Sequence, residues 1–135
     1  MYSKREKIIR NYFNPQGSFD FEDLYNYLSP DVILYETEGL PWSGVYYGIN
    51  GLGDFMAKVT RYIISEIKIE EIYSCGDQVV TIGKSIGRVV KTQRPFGIRV
   101  VQIFTFDDQD KIKKVVFLAD LKAFQEILFG QLVTP

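Results

Sequence analysis

Five alternate residues, Ile98, Val100, Gln102, Phe104 and Phe106, would share one face of an extended strand, and only Gln102 among them is polar. An unpaired amide on such a face costs about 1–3 kcal/mol. Gln102 therefore either orients a ligand or closes a hydrogen bond inside the core. It cannot serve as a general base, because an amide does not take up a proton near neutral pH. Carboxylates can. Glu36 stands two residues before Glu38, and two close acids can separate their pKa values and share acid–base work. No hydrophobic setting surrounds them in sequence, so solvated loop acids are the simpler expectation. Tyr35 could donate to a ligand carbonyl, as in an oxyanion site, or pack with its hydroxyl satisfied. Asp120 follows Phe117-Leu118-Ala119 and precedes an amphipathic segment. It fits the N-cap of a helix best; the alternative is a carboxylate at the base of a pocket. Asp120 and Glu36 are thus the catalytic candidates.

Aromatic residues make up 15% of the chain, with 10 Phe and 9 Tyr, more than a core of this size needs and suited to lining a cavity. Trp42 and Tyr46 lie in the Pro- and Gly-containing stretch Gly39–Gly48. There they could form a rim or lid, pack across a sheet edge, or enter a dimer contact. With Tyr35, Gln102, Phe104, Phe106 and Phe117 they complete the candidate ligand-binding set. Lys84 and Arg88 alternate on one long strand, where solvent-facing charge is the commoner role. Cys75 has no neighbouring base to activate it. The absence of histidine excludes His-based triads, His general bases and His metal sites. No phosphate loop, dinucleotide fingerprint or metal-ligand cluster occurs, so neither a cofactor nor a metal is expected.

These residues need elements to place them. Ile8, Ile9, Tyr12 and Phe13 stripe one face of a helix from Ser3 to Phe13, opened by a Ser3/Glu6 capping box. A second helix is predicted from Asp20 to Leu28, ended by Ser29-Pro30-Asp31. A strand follows over Val32–Glu36, then the Gly39–Gly48 loop, then a helix from about Asn50 to Ile63. From Ser65 the apolar period changes to two: Ile67 and Ile69 alternate with charge. Further strands are predicted over Val79–Lys91, after the Thr92–Gly97 link, and over Ile112–Ala119. A helix closes the chain over Leu121–Phe129. Gly83 and Gly87, inside a strand, mark a bend or bulge. Helices gather early and strands late, joined by short turns, which indicates an antiparallel α+β fold.

The 135 residues suit one domain, 1–135, without repeat or linker. A net charge of −1 lacks the basic footprint of a nucleic-acid binder. The single cysteine excludes an internal disulfide and suits a reducing compartment. With no signal-peptide core and no apolar run of membrane-spanning length, the expectation is a cytoplasmic protein without a membrane partner.

The segment Pro30-Asp31-Val32, then Leu40-Pro41-Trp42-Ser43-Gly44-Val45-Tyr46-Tyr47-Gly48 opening a helix, resembles the SnoaL-like branch of the nuclear transport factor 2-like superfamily. Gln93-Arg94-Pro95, Ile103 to Asp108, and Lys111-Ile112 leading to Asp120 continue the match from about Tyr12 to Leu128. The resemblance implies a cone-shaped, curved antiparallel sheet wrapped around the N-terminal helices and closed by the C-terminal one, a cystatin-like α+β barrel. It also implies a deep apolar cavity and a homodimer. Members include polyketide cyclases, ketosteroid isomerase, limonene-epoxide hydrolase and non-catalytic binding or scaffold domains, so fold alone assigns no function. Many relatives carry a His-Asp pair where this chain has Tyr35-Glu36, His or Asp at Gln102, and an acid at Phe117. Three functions stay open: a binding module for a small, largely apolar molecule, a cyclase or isomerase acting on a small carbonyl compound through a carboxylate base, and a dimeric scaffold with a filled pocket.

Overall fold

The computed structural model describes residues 2–12 and 26–129. Helix α1 spans Lys4–Tyr12. Its capping box is reciprocal: the Glu6 amide donates to Ser3 Oγ (3.2 Å) and the Ser3 amide to Glu6 Oε1 (3.1 Å). This satisfies backbone donors that have no partner within the helix, while Ile8 and Ile9 face the core. Phe13 and nearly all of the second predicted helix lie outside the described residues; Leu28, its last predicted residue, opens a strand instead.

That strand, β1, runs Leu28–Glu36, followed by β2 (Gly44–Tyr47), α2 (Gly48–Val59), β3 (Ile63–Cys75), β4 (Gln78–Val89), β5 (Pro95–Phe106), β6 (Ile112–Ala119) and α3 (Leu121–Leu128). The strands form one sheet in the order β2-β1-β6-β5-β4-β3. Short turns join β3 to β6, so each of these pairs is antiparallel, as is β1 with β2. The pair β1–β6 is parallel, so the sheet is antiparallel as expected except at this one pairing. The intervening chain is long enough to return β6 to the same end of the sheet.

Two boundaries also differ from expectation. Gly44–Tyr47, read as loop, pairs with β1 through Leu34↔Tyr46 and Glu36↔Gly44. Pro30 sits inside β1 where the pairing with β6 shifts register, an irregularity that tolerates a residue with no N–H to donate.

The glycines of β4 behave as their positions predict. A Cβ on Gly83 would overlap the Lys68 carbonyl oxygen, and one on Gly87 would overlap that of Ile64. The backbone of β3 therefore leans over β4 at both points, and its register shifts between Ile69 and Glu71 beside Gly83. The inner face of the sheet is clear on β5, where Phe96, Ile98, Val100, Gln102, Phe104 and Phe106 are all buried. Two buried clusters fill the interior. One gathers α1, Leu34, Phe104 and Phe106; the other gathers Leu40, Trp42, Phe96 and Phe124 of α3. Phe117 packs against both and stands where they meet. No helix among the described residues is long and apolar enough to cross a membrane.

Candidate functional site

Strand alternation decides which predicted residues can meet. On β1, Leu34 and Glu36 face inward and Tyr35 outward. Register then carries Glu36 across the sheet: it pairs with Phe117 on β6, Phe117 pairs with Gln102 on β5, and Gln102 pairs with Thr81 on β4. Directly paired residues share a face. Glu36, Phe117, Gln102 and Thr81 thus form one row on the inner face.

Glu36 is the unusual member. It is 6% exposed, and both carboxylate oxygens are sealed from solvent without a hydrogen-bond partner among the described residues. Burial pushes its pKa up to about 8; the Thr37 amide and the Trp42 indole N–H draw it back only in part, neither reaching hydrogen-bond geometry. Its neutral form therefore dominates at pH 7. A carboxyl poised in this range can give or take a proton near neutrality. The simpler expectation of a solvated loop acid holds for the exposed Glu38 and fails for Glu36.

Aromatic groups surround this carboxyl. The Trp42 ring lies edge-on to Phe124 at 5.5 Å and tilted to Tyr62 at 6.1 Å. Trp42 is almost fully buried, so it is a packing wedge under the β1–β2 loop and not an exposed lid. The Tyr46 hydroxyl donates to the Trp42 carbonyl at 2.7 Å, and its ring meets Phe55 edge-on at 5.3 Å. Burial raises the Tyr46 pKa, and the negative charge of Glu36 and of Asp54 adds to the shift. Tyr46 and Glu36 thus belong to one electrostatic neighbourhood.

Gln102 is buried as its strand face requires. Its Oε1 accepts from Thr81 Oγ1 at 3.2 Å, whereas its Nε2 makes no hydrogen bond among the described residues. The core hydrogen-bond reading of Gln102 is thus realised, through the Oε1 end of its amide. Thr81 was missed in the sequence; its signal was the polar residue between Val79 and Gly83 on an inward face.

Two candidates lie elsewhere. Tyr35 stands on the outer face, 37% exposed, with Lys114 Nζ 5.2 Å from its ring centroid. It cannot line the inner face, because one residue's shift along a strand reverses the side. Asp120 is exposed and caps α3, accepting from the Ala123 amide at 3.1 Å, which removes it as a pocket base. Phe104 and Phe106 are buried in the first cluster, Phe106 beneath Arg5, whose guanidinium carbon is 5.2 Å from the ring centroid. Lys84 and Arg88 point outward as expected. Among the described residues no cluster of His, Cys, Asp or Glu could hold a metal.

Comparison with known proteins places the fold. No curated protein matches the sequence. Among solved structures, the fold superposes on a nuclear transport factor 2-like protein of unknown function from Burkholderia pseudomallei with a TM-score of 0.85 at 17% identity, covering 95% of this chain and 99% of that one. It superposes on TerC, co-crystallised with polyporic acid, with a TM-score of 0.83 at 22% identity, covering 93% and 98%. A candidate SnoaL-like polyketide cyclase from Jannaschia sp. CCS1 gives 0.80 at 15% identity, covering 100% and 99%. At these identities the likeness establishes the fold alone. The sequence model of the SnoaL-like domain matches residues 9–115, most of the chain, and the protein therefore belongs to the SnoaL-like family of the nuclear transport factor 2-like fold.

Proposed function

We propose that the protein binds a small, largely apolar molecule on the inner face of its sheet, with Glu36 meeting the ligand's polar group. The observation that carries this reading is the buried Glu36 carboxyl, which has no hydrogen-bond partner among the described residues. Leaving such a group unpaired costs several kcal/mol (roughly, from the penalty of burying an ion or an unsatisfied polar group), and a ligand hydroxyl or carbonyl would supply the missing hydrogen bond. Phe117, Trp42 and Tyr46 offer the apolar surroundings, and polyporic acid in TerC is a precedent for a small molecule on this fold. Trp42 is the only tryptophan, so its indole N–H gives a single reporter beside Glu36. Titration of ¹⁵N-labelled protein with small aromatic phenols and ketones is expected to shift that signal and the Gln102 side-chain amide together. Shifts confined to outer-face residues, or none at millimolar concentration, would overturn the reading.

The same carboxyl favours a second reading, a cyclase or isomerase in which Glu36 moves a proton to or from a carbon beside a carbonyl. Its pKa of about 8 suits that step. The test is exchange of the methyl protons of acetophenone in D₂O. Acceleration by the wild type and not by Glu36→Gln supports it, and equal rates remove it.

Two copies would meet through the outer face, where Tyr35, Val45, Tyr47 and Leu118 stand exposed. Sedimentation equilibrium giving a dimer that Leu118→Lys dissociates supports this, and a monomer at high concentration opposes it. The exposed, free Cys75 suits a reducing cytoplasm.

A further inference from the structure

The connection between β1 and β2 is anchored firmly at its ends and lightly in its middle. At the start, Thr37 is pinned to β6 from both sides: its hydroxyl donates to the Phe117 carbonyl and accepts from the Ala119 amide, each at 2.9 Å. At the end, Gly44 enters the sheet opposite Glu36. Gly39 and Gly44 hold φ of +89° and +139°, values that glycine adopts freely and other residues do not. Between them the Ser43 amide closes a local turn onto the Leu40 carbonyl at 3.0 Å. Two side chains tie this stretch to the rest of the fold. Gln125 Nε2 donates to the Gly39 carbonyl at 3.2 Å, and the Tyr46 hydroxyl donates to that of Trp42. The remaining hold is apolar, with Leu40 and Trp42 buried in one cluster with Phe124.

Trp42 also stands beside the Glu36 carboxyl, whose two oxygens lack hydrogen-bond partners among the described residues. A neutral carboxyl tolerates such a place far better than a carboxylate, which loses its water there without replacement. No counter-ion relieves it, for Glu36 has no ion pair among the described residues. β6 presents Phe117, the loop presents Trp42, and α3 presents Phe124 beneath the indole. β2 presents Tyr46, a phenol held above its ordinary pKa of 10.0 and so neutral where Glu36 titrates. From α2, Asp54 and Lys58 act on Tyr46, with Lys58 Nζ 5.8 Å from its ring centroid. Glu38 and, on α3, Lys122 and Glu126 are exposed. Water reaches an ionised Glu36 most easily by moving the lightly held stretch, because β1, β2 and β6 are paired through their backbones.

We propose that residues 39–44 are a hinged plug coupled to the proton on Glu36, seated over the neutral acid and lifted when it ionises. Lifting turns the chain at Gly39 and Gly44, draws Leu40 and Trp42 off Phe124 and leaves the sheet intact. The lifted form returns Glu36 toward the ordinary carboxylate range. Opening therefore becomes easier as pH rises above that range and levels off once the seated form also ionises. The device needs no ligand, so it stands or falls apart from the binding reading.

The test is hydrogen exchange at the Trp42 indole N–H from pH 5 to 9 in the wild type and Glu36→Gln, with Glu36→Leu as substitute should that variant fail to fold. Dividing the two rates at each pH cancels the intrinsic catalysis of exchange. The ratio is expected to climb by up to about tenfold per pH unit and to level off near pH 8. The Val100 amide, in the centre of β5, reports opening of the whole fold and should exchange more slowly than the indole throughout. Gln125→Ala releases Gly39 and should speed indole exchange about fivefold at every pH, with the slope unchanged. A ratio flat with pH overturns the coupling to Glu36. An indole that exchanges no faster than Val100 overturns the plug, and an unprotected indole in Glu36→Gln shows that it is never seated. Wild-type exchange in Gln125→Ala overturns the hinge at Gly39.

Discussion

Glu36 and Gln102 face the same interior from strands on either side of β6, held two strand spacings apart by pairing with Phe117. One is an acid with no partner among the described residues and the other an amide with one. That asymmetry makes their contributions to stability different in sign, and separable.

The acid should make stability fall with rising pH. Glu36 has a folded pKa of about 8 against an ordinary value of 4.5, so between these limits the folded state holds a proton that the unfolded state has released. Stability attributable to this group is intact below about pH 4.5 and is lost as pH rises through about 8, to an extent on the order of 5 kcal/mol. Glu36→Gln removes the titration. The variant should equal or exceed the wild type at pH 5 and lead it by a widening margin at pH 6.5 and 8, measured by urea midpoints. A margin that does not change with pH would mean that Glu36 is already ionised in the fold.

The amide should behave in the opposite way. Thr81→Val leaves Gln102 Oε1 without its donor in a buried setting and should cost about 1–2 kcal/mol. Replacing both, as Thr81→Val with Gln102→Leu, removes the orphaned group along with its partner. The double variant should therefore be more stable than the sum of the single losses, a coupling visible in a double-mutant cycle by thermal unfolding. Strict additivity would deny the hydrogen bond.

The contrast between these residues also shows what a sequence can reveal. Gln102 was legible because a period-2 strand exposes a polar intruder among Ile98, Val100, Phe104 and Phe106, and each of these is indeed buried. Its partner Thr81 lies on a different strand, and cross-strand register is not a local property. Glu36 was legible as a candidate but not as a buried one. The string Tyr35-Glu36-Thr37-Glu38 looks solvated, and Glu36 is buried beside Trp42 from the following loop and Phe117 from late in the chain. The same nonlocal pairing explains the unforeseen parallel β1–β6 contact. Strand β2 escaped notice because four residues flanked by Gly and Pro carry too little periodicity to register. Local chemistry was sufficient for the Asp120 cap and for the glycines of β4.

Asp120 provides the control for the site assignment. Asp120→Ala should lower stability by about 1 kcal/mol through loss of its bond to the Ala123 amide. Because Asp120 is exposed and caps α3, this substitution should leave the affinity of any inner-face probe within twofold of wild type, measured by the Trp42 indole titration (a bound of roughly 0.4 kcal/mol). A larger loss would restore Asp120 to the site.

Strand β3 approaches β4 closely at two glycines, and this can be tested without any ligand. A methyl at Gly83 would overlap the Lys68 carbonyl, and one at Gly87 would overlap the Ile64 carbonyl and the Ser65 backbone. Backbone cannot rotate away as a flexible side chain can. Gly83→Ala and Gly87→Ala should each therefore cost ~3 kcal/mol or more and loosen the β3–β4 pairing. At Gly97, on β5, nothing among the described residues lies within 4 Å of the place a methyl would take, so Gly97→Ala should change stability by no more than ~0.5 kcal/mol. Denaturant unfolding gives the three values, and amide exchange along Ile63–Ile69 shows where the loss falls. Tolerance of alanine at Gly83 and Gly87 would mean that β3 does not lean over β4 in solution.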